Sequence, residues 1–272
     1  MILLNGKELS DKLYNSFDNK ETAKLVVFTV GNDPASKVYV RNKQRACERV
    51  GIEFENVILK EDTSIDEFSD IIMDKLDKDI LNTNFTKYGM ILQLPAPKHL
   101  VDVFNEMVPI NYDVDGFGTI NFACVMTSGT APHLPATPKG IMTLLHHYNI
   151  PIEGKHVVIV GRSNIVGKPL AQMMLKENAT VTICHSKTEN LTSITRMADI
   201  LVVAAGKPKF INDTYVKDDV VVVDVGINRL EDGSICGDVD FDRMHIKCAA
   251  ITPVPGGVGP MTVYSLIENI LS

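Results

Sequence analysis

The run His156-Val157-Val158-Ile159-Val160-Gly161-Arg162-Ser163-Asn164-Ile165-Val166-Gly167 decides the fold class. The apolar, β-branched stretch after His156 has the unbroken character of a strand covered on both faces. Gly161 then opens a turn, and 169–177 follows as a helix. A glycine turn from strand to helix gathers backbone N–H groups at the positive end of the helix, which suits the pyrophosphate of a dinucleotide. The spacing departs from GxGxxG, because Ser163 stands at the second glycine position and Gly167 falls one residue late. The competing reading of the turn is a tight strand-helix connection that binds nothing. The end of the next strand discriminates further. An NAD site places Asp or Glu there, about twenty residues on, to hold the ribose hydroxyls. Here the residues are His185-Ser186-Lys187. Together with Arg162 they offer donors and positive charge to a ribose phosphate, so NADP is favoured over NAD.

Working outward from this turn, further apolar runs at 180–185, 199–204, 220–225 and 249–252 continue a series of buried parallel strands. An earlier series, at 23–30, 54–59 and 89–94, alternates with helical stretches at 35–50 and 66–76, the βαβ pattern of an α/β layer. Residues 121–138, rich in Thr, Ser, Gly and Pro, separate the two series and are expected to be a connection between two domains. A final helix is expected over 262–271.

The composition excludes several classes. With 272 residues and 45% hydrophobic content, the chain has ample material for packed cores. No apolar run reaches the eighteen or so residues of a membrane span, and the start of the chain lacks a signal-peptide profile, so a cytoplasmic protein without membrane attachment is expected. Five cysteines are scattered without CxxC pairs or histidines at zinc spacing, so no metal site is expected. A net charge of −7 argues against nucleic acid as a partner.

Four features point to chemistry beyond a nucleotide site. On the helix 35–50, Tyr39, Lys43, Ala46 and Val50 recur at the spacing of one face, flanked by Val40 and Cys47, with Arg41, Arg45, Glu48 and Arg49 opposite. Lys43 therefore sits inside an apolar stripe, where desolvation lowers a lysine's pKa and fits it for proton transfer; snorkelling of the ammonium to water is the competing reading. Gln93 ends an apolar strand, and strand carboxyl ends face the ligand crevice in open α/β sheets. In Asp113-Val114-Asp115-Gly116 the two acids alternate and point the same way if the chain is extended; a solvated turn is the usual meaning of such a tetrapeptide. Finally, Thr252-Pro253-Val254-Pro255-Gly256-Gly257-Val258-Gly259-Pro260-Met261-Thr262 combines rigid prolines with glycines that admit close backbone approach, and reads as a ligand-contacting loop before a helix.

Tyr39-Val40-Arg41-Asn42-Lys43, Gln93-Leu94-Pro95, Asp113-Val114-Asp115-Gly116, the 161–167 turn and the 253–262 loop, in this order and over nearly the whole chain, resemble the motifs of the bifunctional methylenetetrahydrofolate dehydrogenase/methenyltetrahydrofolate cyclohydrolase family. The resemblance implies two α/β domains, a catalytic one over 1–120 plus 254–272 and a Rossmann-type NADP-binding one over 121–253, with the active-site cleft between them. It implies tetrahydrofolate derivatives as substrates and a homodimer. By the same resemblance Lys43 is the catalytic lysine, Tyr39 positions substrate, Gln93 tunes the lysine, Asp115 holds the pterin ring, and Pro255, Gly256 and Gly257 line the folate site. Gly161, Arg162, Ser163, Ile165, Gly167, His185, Ser186, Ile227 and Thr262 fall to the cofactor, with Ile227 near the nicotinamide. One departure is visible: Pro135-Ala136-Thr137-Pro138 stands where the family commonly has Pro-Cys-Thr-Pro. A shikimate-type dehydrogenase would share the dinucleotide half but leave the 253–262 loop unexplained, and a non-catalytic folate or nucleotide binder would have no use for Lys43, Gln93 and Asp115 together.

Overall fold

Apolar runs alternating with amphipathic stretches do fold as parallel sheets joined by helices. The structure, a computed structural model, describes residues 1–17, 22–80 and 85–272. The chain opens with β1 (Ile2–Leu3) and α1 (Gly6–Tyr14), and continues through β2 (Ala23–Val30), α2 (Pro34–Val50), β3 (Glu53–Leu59), α3 (Ile65–Ile80), β4 (Lys87–Leu92) and α4 (Lys98–Met107). Helices α5 (Thr119–Ser128) and α6 (Ala136–His147) lead to β5 (His156–Val160), α7 (Gly167–Lys176), β6 (Thr180–Cys184), α8 (Leu191–Thr195), β7 (Ile200–Val203) and β8 (Val220–Asp224). A short hairpin of β9 (Asn228–Arg229) and β10 (Ile235–Cys236), then α9 (Phe241–Met244), β11 (Cys248–Ile251) and α10 (Val258–Leu271), complete the chain. Two compact units result, one of Met1–Leu13, Val125–Thr130 and Thr137–Thr262, the other of Tyr14–Cys124, Ala131–Ala136 and Val263–Ser272.

The second of these carries a three-stranded parallel sheet in the order β3-β2-β4. Its central strand shows why a sheet covered on both faces needs an unbroken apolar run. Ala23, Leu25 and Val27 point to one side, among Val40, Cys47 and Val50 of α2 and Leu266 and Ile270 of α10. Val26 and Phe28 point to the other, against Phe68 and Ile72 of α3 and Leu100 and Phe104 of α4. Asp33 caps α2, its carboxylate accepting from the Ser36 amide at 2.7 Å, and Gly51 ends the helix in the left-handed conformation.

One charged residue interrupts the apolar strand. Lys24 is buried, with its ammonium 2.9 Å from both Asp79 Oδ1 and Glu55 Oε2 and 3.4 Å from Glu53 Oε1. The Tyr88 hydroxyl donates to Asp79 at 2.9 Å, and Lys75 pairs with Glu55 from the other side. Burial works against the Glu55 carboxylate, but the ammonium groups of Lys75 and Lys24 outweigh it and hold its pKa below the ordinary value.

The other unit has a six-stranded sheet, wholly parallel, in the order β1-β11-β8-β7-β5-β6. After β5 the chain first moves outward to β6 and then crosses back to β7 on the opposite side. The order therefore reverses between β5 and β7, and the carboxyl ends of these two strands form the topological switch point where open α/β sheets bind ligands.

Three expectations about organisation change. Residues 1–13 belong with the six-stranded unit, because β1 pairs with β11, Ile2 beside Ala250 and Leu3 beside Ile251; a two-residue strand leaves no periodicity to read. Much of 121–138 is helical rather than a connecting loop, since α5 and α6 each bury residues, Asn121 and Val125 in one and Ala136 and Ile141 in the other. The last helix starts at Val258, not Thr262, because Pro260 falls in its first turn, where a missing N–H breaks no helical hydrogen bond.

Replacing Lys24 with Met leaves Asp79 and Glu55 without the cation they share. Removing one partner of a buried ion pair costs about 3–5 kcal/mol, so the urea midpoint of the Lys24→Met protein should fall accordingly, whereas Lys78→Met, on the exposed pair with Asp74, should leave it nearly unchanged.

Candidate active site

In the three-stranded unit, three of the sequence-picked residues meet. Lys43 lies on the buried face of α2, Gln93 directly follows β4, and Asp115 stands in the segment after it. The Lys43 ammonium donates to Gln93 Oε1 at 3.0 Å and lies 3.9 Å from Asp115 Oδ2. Gln93 Nε2 donates to the Leu94 carbonyl oxygen at 2.9 Å, which turns the amide so that its oxygen faces the lysine. Lys43 is only 7% exposed, so its stem packs in the core and the snorkelling alternative does not hold. Desolvation by this burial lowers its pKa, against the opposing influence of Asp115 and Cys47. Burial also raises the pKa of Asp115, against the pull of Lys43 and with the nearby Asp113 charge acting in the same direction. One turn along α2, burial pushes the Cys47 thiol up to about 12, so it stays protonated and serves as packing. The product is an amine that releases its proton more readily than an ordinary lysine, next to a carboxyl that gains one more readily than an ordinary aspartate.

The buried face of α2 is not quite the one the sequence suggested. It runs through Ser36, Val40, Lys43, Cys47 and Val50, while Tyr39 is 38% exposed. A stripe centred between Val40 and Cys47 leaves Tyr39 at its edge, one turn before Lys43, where its ring is open to a ligand. The two aspartates also part company. Asp113 is buried and accepts from the amides of Gly116 (3.2 Å) and Gly118 (2.7 Å) and from Asn121 Nδ2 (2.8 Å), so the segment is a tight turn and not extended chain. Gly116 has φ +73° and no room for a Cβ beside His133 and Pro135. Asn269 of α10 donates to the carbonyl oxygens of Val114 and Leu134, both at 2.8 Å. Asp113, Asn121 and Asn269 thus hold Asp115 in place; the sequence reading singled out Asp113 only as the companion of Asp115 and gave no role to Asn121 or Asn269, and the paired glycines at 116 and 118 were the available signal. Ala136, where the family commonly has Cys, is fully buried among Leu266 and Ile267. At the carboxyl ends of β2 and β4 opens a cavity of about 660 Å³, lined by Val30, Asn32, Asp33, Glu61, Pro95, Ala96 and Pro97; it shares the sheet edge that carries Gln93.

In the six-stranded unit the glycine turn occupies the switch point. Gly161 has φ +142°, and a Cβ on it would overlap the Ala204 carbonyl oxygen at the end of β7; a Cβ on Gly167 would overlap the Gly161 oxygen. Ser163 Oγ accepts from the Val166 amide at 3.1 Å and weakly from Gly167, which begins α7. Among the described residues, the amides of Arg162, Ser163, Asn164 and Ile165 have no hydrogen-bond partner. Free donors in close-packed glycine backbone at a helix start are what a pyrophosphate requires. At the end of β6, His185 organises a turn: its amide donates to Thr188 Oγ1 and its Nδ1 accepts from the Lys187 amide. Ser186, Lys187 and Arg162 are all exposed and no acid stands among them, so the set fits a phosphorylated ribose. Ile227 is 45% exposed.

The 253–262 segment also belongs to this unit. Gly256 has φ +107°, and its carbonyl oxygen accepts from the Lys7 amide at 2.8 Å. A Cβ on Gly6 would overlap the Gly257 oxygen, so the start of α1 braces the loop. Thr262 is a turn inside α10, its hydroxyl engaged with Thr137 Oγ1 (3.1 Å) and the Val258 oxygen (3.3 Å); it is not at the loop-helix junction that the sequence suggested.

A family model for the tetrahydrofolate dehydrogenase/cyclohydrolase catalytic domain matches residues 4–115, and one for the NAD(P)-binding domain of the same family matches 135–272. The chain belongs to the tetrahydrofolate dehydrogenase/cyclohydrolase family. It is 48% identical to the bifunctional protein FolD of Agathobacter rectalis over 98% of this chain and 96% of that one. The crystal structure of the Campylobacter jejuni bifunctional FolD, a methylenetetrahydrofolate dehydrogenase/cyclohydrolase, superposes with a TM-score of 0.91 at 43% identity, covering 100% of this chain and 97% of that one. The Trypanosoma brucei FolD, crystallised with NADP and an inhibitor, gives a TM-score of 0.90 at 28% identity, covering 99% and 96%. Family membership carries both activities and an NAD(P) cofactor, and it sets aside the shikimate-type and non-catalytic alternatives. Among the described residues, no helix is long and apolar enough to cross a membrane.

Gly161→Ala should fold yet bind NADP at least about tenfold more weakly, because a Cβ has no room against Ala204 and φ is unfavourable. Calorimetric titration with NADP measures this, with hydrolysis of methenyltetrahydrofolate as the internal control for an intact second site.

Proposed function

We propose that this chain oxidises methylenetetrahydrofolate to methenyltetrahydrofolate with NADP and hydrolyses the product to formyltetrahydrofolate, with Lys43 as the proton carrier of the second step. The observation that carries the reading is the buried Lys43 ammonium held between Gln93 and Asp115. When bound, NADP supplies the acceptor for the hydride that leaves the methylene carbon. The unpartnered amides of 162–165 take its pyrophosphate, and Arg162 and Ser186 take the ribose phosphate. His185 shapes the turn that presents Ser186, while Gly161, Ile165 and Gly167 keep the backbone close and Ile227 borders the nicotinamide.

Loss of hydride leaves a cation shared between the two nitrogens that flank the methenyl carbon. Water adds to that carbon, the bond from it to one nitrogen breaks, and a formyl group remains on the other. Of the two protons of the water, one passes to Lys43 and from there to the departing nitrogen, and the other is released to solvent as the positive charge of the cation is lost. A lysine of ordinary pKa would hold its proton too firmly to accept another; the desolvated Lys43 does not. Gln93 fixes the direction of the ammonium, Asp115 receives donors of the pterin ring, Tyr39 packs along the substrate, and Pro255, Gly256 and Gly257 offer it backbone. We further propose a cytoplasmic homodimer, in keeping with the family resemblance.

Lys43→Met should abolish hydrolysis of methenyltetrahydrofolate, followed by loss of its absorbance; wild-type hydrolysis by the variant would sink the assignment. Stability should move the other way. A base whose pKa is lowered on folding loses stability as pH falls from its unfolded value of 10.5 towards its folded value, so a penalty for carrying the charge is already present at neutral pH. Removing that ammonium removes the penalty, so the melting temperature at pH 7 should be at least that of the parent. Following NADPH formation from methylenetetrahydrofolate with NADP or NAD in parallel tests the cofactor reading; faster turnover with NAD at equal concentration would refute the roles given to Arg162 and Ser186.

A further inference from the structure

Two carboxylates in the six-stranded unit are buried and have no part in the chemistry assigned above. Asp224 ends β8 and Asp238 follows β10; they are 3% and 0% exposed. Asp238 gathers donors from two separate loops. Its Oδ2 accepts from the amides of Ala205 (2.6 Å) and Gly206 (2.9 Å), and its Oδ1 from the Lys207 amide (2.8 Å) and Asn228 Nδ2 (2.8 Å). Asp224 is the seat beneath it. Its Oδ1 accepts from the amides of Gly226 and Asp238, both at 3.0 Å, and its Oδ2 from the Val239 amide at 2.9 Å. A Cβ on Gly226 would overlap the Asp238 carboxylate, and one on Gly237 the Asp224 carboxylate, so both glycines exist to let backbone reach these oxygens.

Burying a carboxylate is expensive, and two in contact more so. Burial, with the Asp238 charge adding to it and three amides opposing, pushes Asp224 up to about 6. An apolar pair would fill the same space without that expense, but would not set main-chain amides in one geometry. The amides so fixed lie where the fold places a ligand. Residues 205–207 leave the carboxyl end of β7 immediately after Ala204, whose carbonyl oxygen lies against Gly161. Residues 226–228 leave the carboxyl end of β8, and in them exposed Ile227 is pinned on both sides, by Gly226 to Asp224 and by Asn228 to Asp238.

We propose that Asp238, seated on Asp224, is the positioning residue for the nicotinamide half of the cofactor site, holding 205–207 and 226–228 in the form that receives the dinucleotide. The proposal rests on the placement of the dinucleotide at the 161–167 turn. Asp238 touches neither substrate nor cofactor; it acts through the loops it organises.

Asp238→Asn keeps the shape, removes the charge and turns one oxygen into a group that repels the two donors it faced. Asn228→Ala removes a single donor and spares the buried charge. The readouts are the KM for NADP in the dehydrogenase reaction, NADP binding by calorimetry, and the cyclohydrolase rate. The KM and Kd for NADP should rise about tenfold in Asp238→Asn and about threefold in Asn228→Ala, with cyclohydrolase activity within about twofold of the parent. An unchanged KM in folded Asp238→Asn overturns the proposal, as does an equal loss of both activities, which marks a role in stability alone. Should Asp238→Asn fail to fold, Asn228→Ala decides, and an unchanged KM there overturns it. Gly161→Ala separates the two levels: full NADP binding in that variant refutes the dinucleotide placement itself, whereas weakened binding there beside normal binding in the Asp238 and Asn228 variants refutes only the role of Asp238.

Discussion

Parallel strands cannot be joined by a tight turn; each must be followed by a crossover that returns the chain to the starting edge. That constraint organises everything else in this protein. It forces both sheets to be covered by helices, so central strands such as β5, β7 and β8 become rich in Val, Ile and Leu, and it collects the strand-to-helix turns of each sheet at the carboxyl ends of its strands. Gln93 after β4, Gly161 after β5, His185 to Lys187 after β6, Ala204 after β7, Asp224 at the end of β8 and Thr252 after β11 all occupy such ends. In each sheet the strand order reverses once, between β2 and β4 and between β5 and β7, and a switch of direction leaves neighbouring crossovers on opposite faces with a gap at their ends. Gln93 and Gly161 stand at those two gaps.

Within that frame, reactivity comes from what is removed from water. The oxygen of Gln93 and the carboxylate of Asp115 do not neutralise Lys43 as a close ion pair would; at 3.9 Å the carboxylate is too far to offset the desolvation. Lys24, on the neighbouring strand, shows the opposite solution. It is as little exposed to solvent, but close carboxylates overcome the desolvation and raise its pKa. Two buried lysines in one small layer thus differ in chemistry through the number and closeness of their acids and the depth of their desolvation. The first is suited to moving protons and the second to fixing strand register.

Much of this was legible in the sequence, and the reasons for success and failure are physical. The strands at 23–30 and 156–160 were readable to the residue, because a fully buried strand admits no polar interruption except one as well satisfied as Lys24. Lys43 stood out because its neighbours three and four residues away are apolar, and burial follows helical period. Tyr39 was misplaced by the same logic, since a stripe read from residue types cannot resolve a rotation of a few tens of degrees. Residues 121–138 misled because Thr, Ser and Gly are common in loops, and only tertiary packing around Asn121 and Val125 makes a helix there. Asp113, Asp224 and Asp238 were invisible as organisers. Their partners are main-chain amides brought together by the fold, and an amide carries no identity in a sequence.

The bracing of Gly256 and Gly257 by Gly6 and Lys7 has a consequence for folding. Leu4 donates to the Ile251 oxygen and Lys7 to that of Gly256, so these contacts join residues far apart in sequence. The three-stranded layer closes only when Leu266 and Ile270 of α10 cover Ala23, Leu25 and Val27, and the loop at 253–257 likewise rests on partners far away in sequence. Closing so long a loop adds little to the equilibrium expense but delays its formation. Formation of the 253–257 loop is therefore a long-range event in folding, set by contacts between residues far apart in sequence.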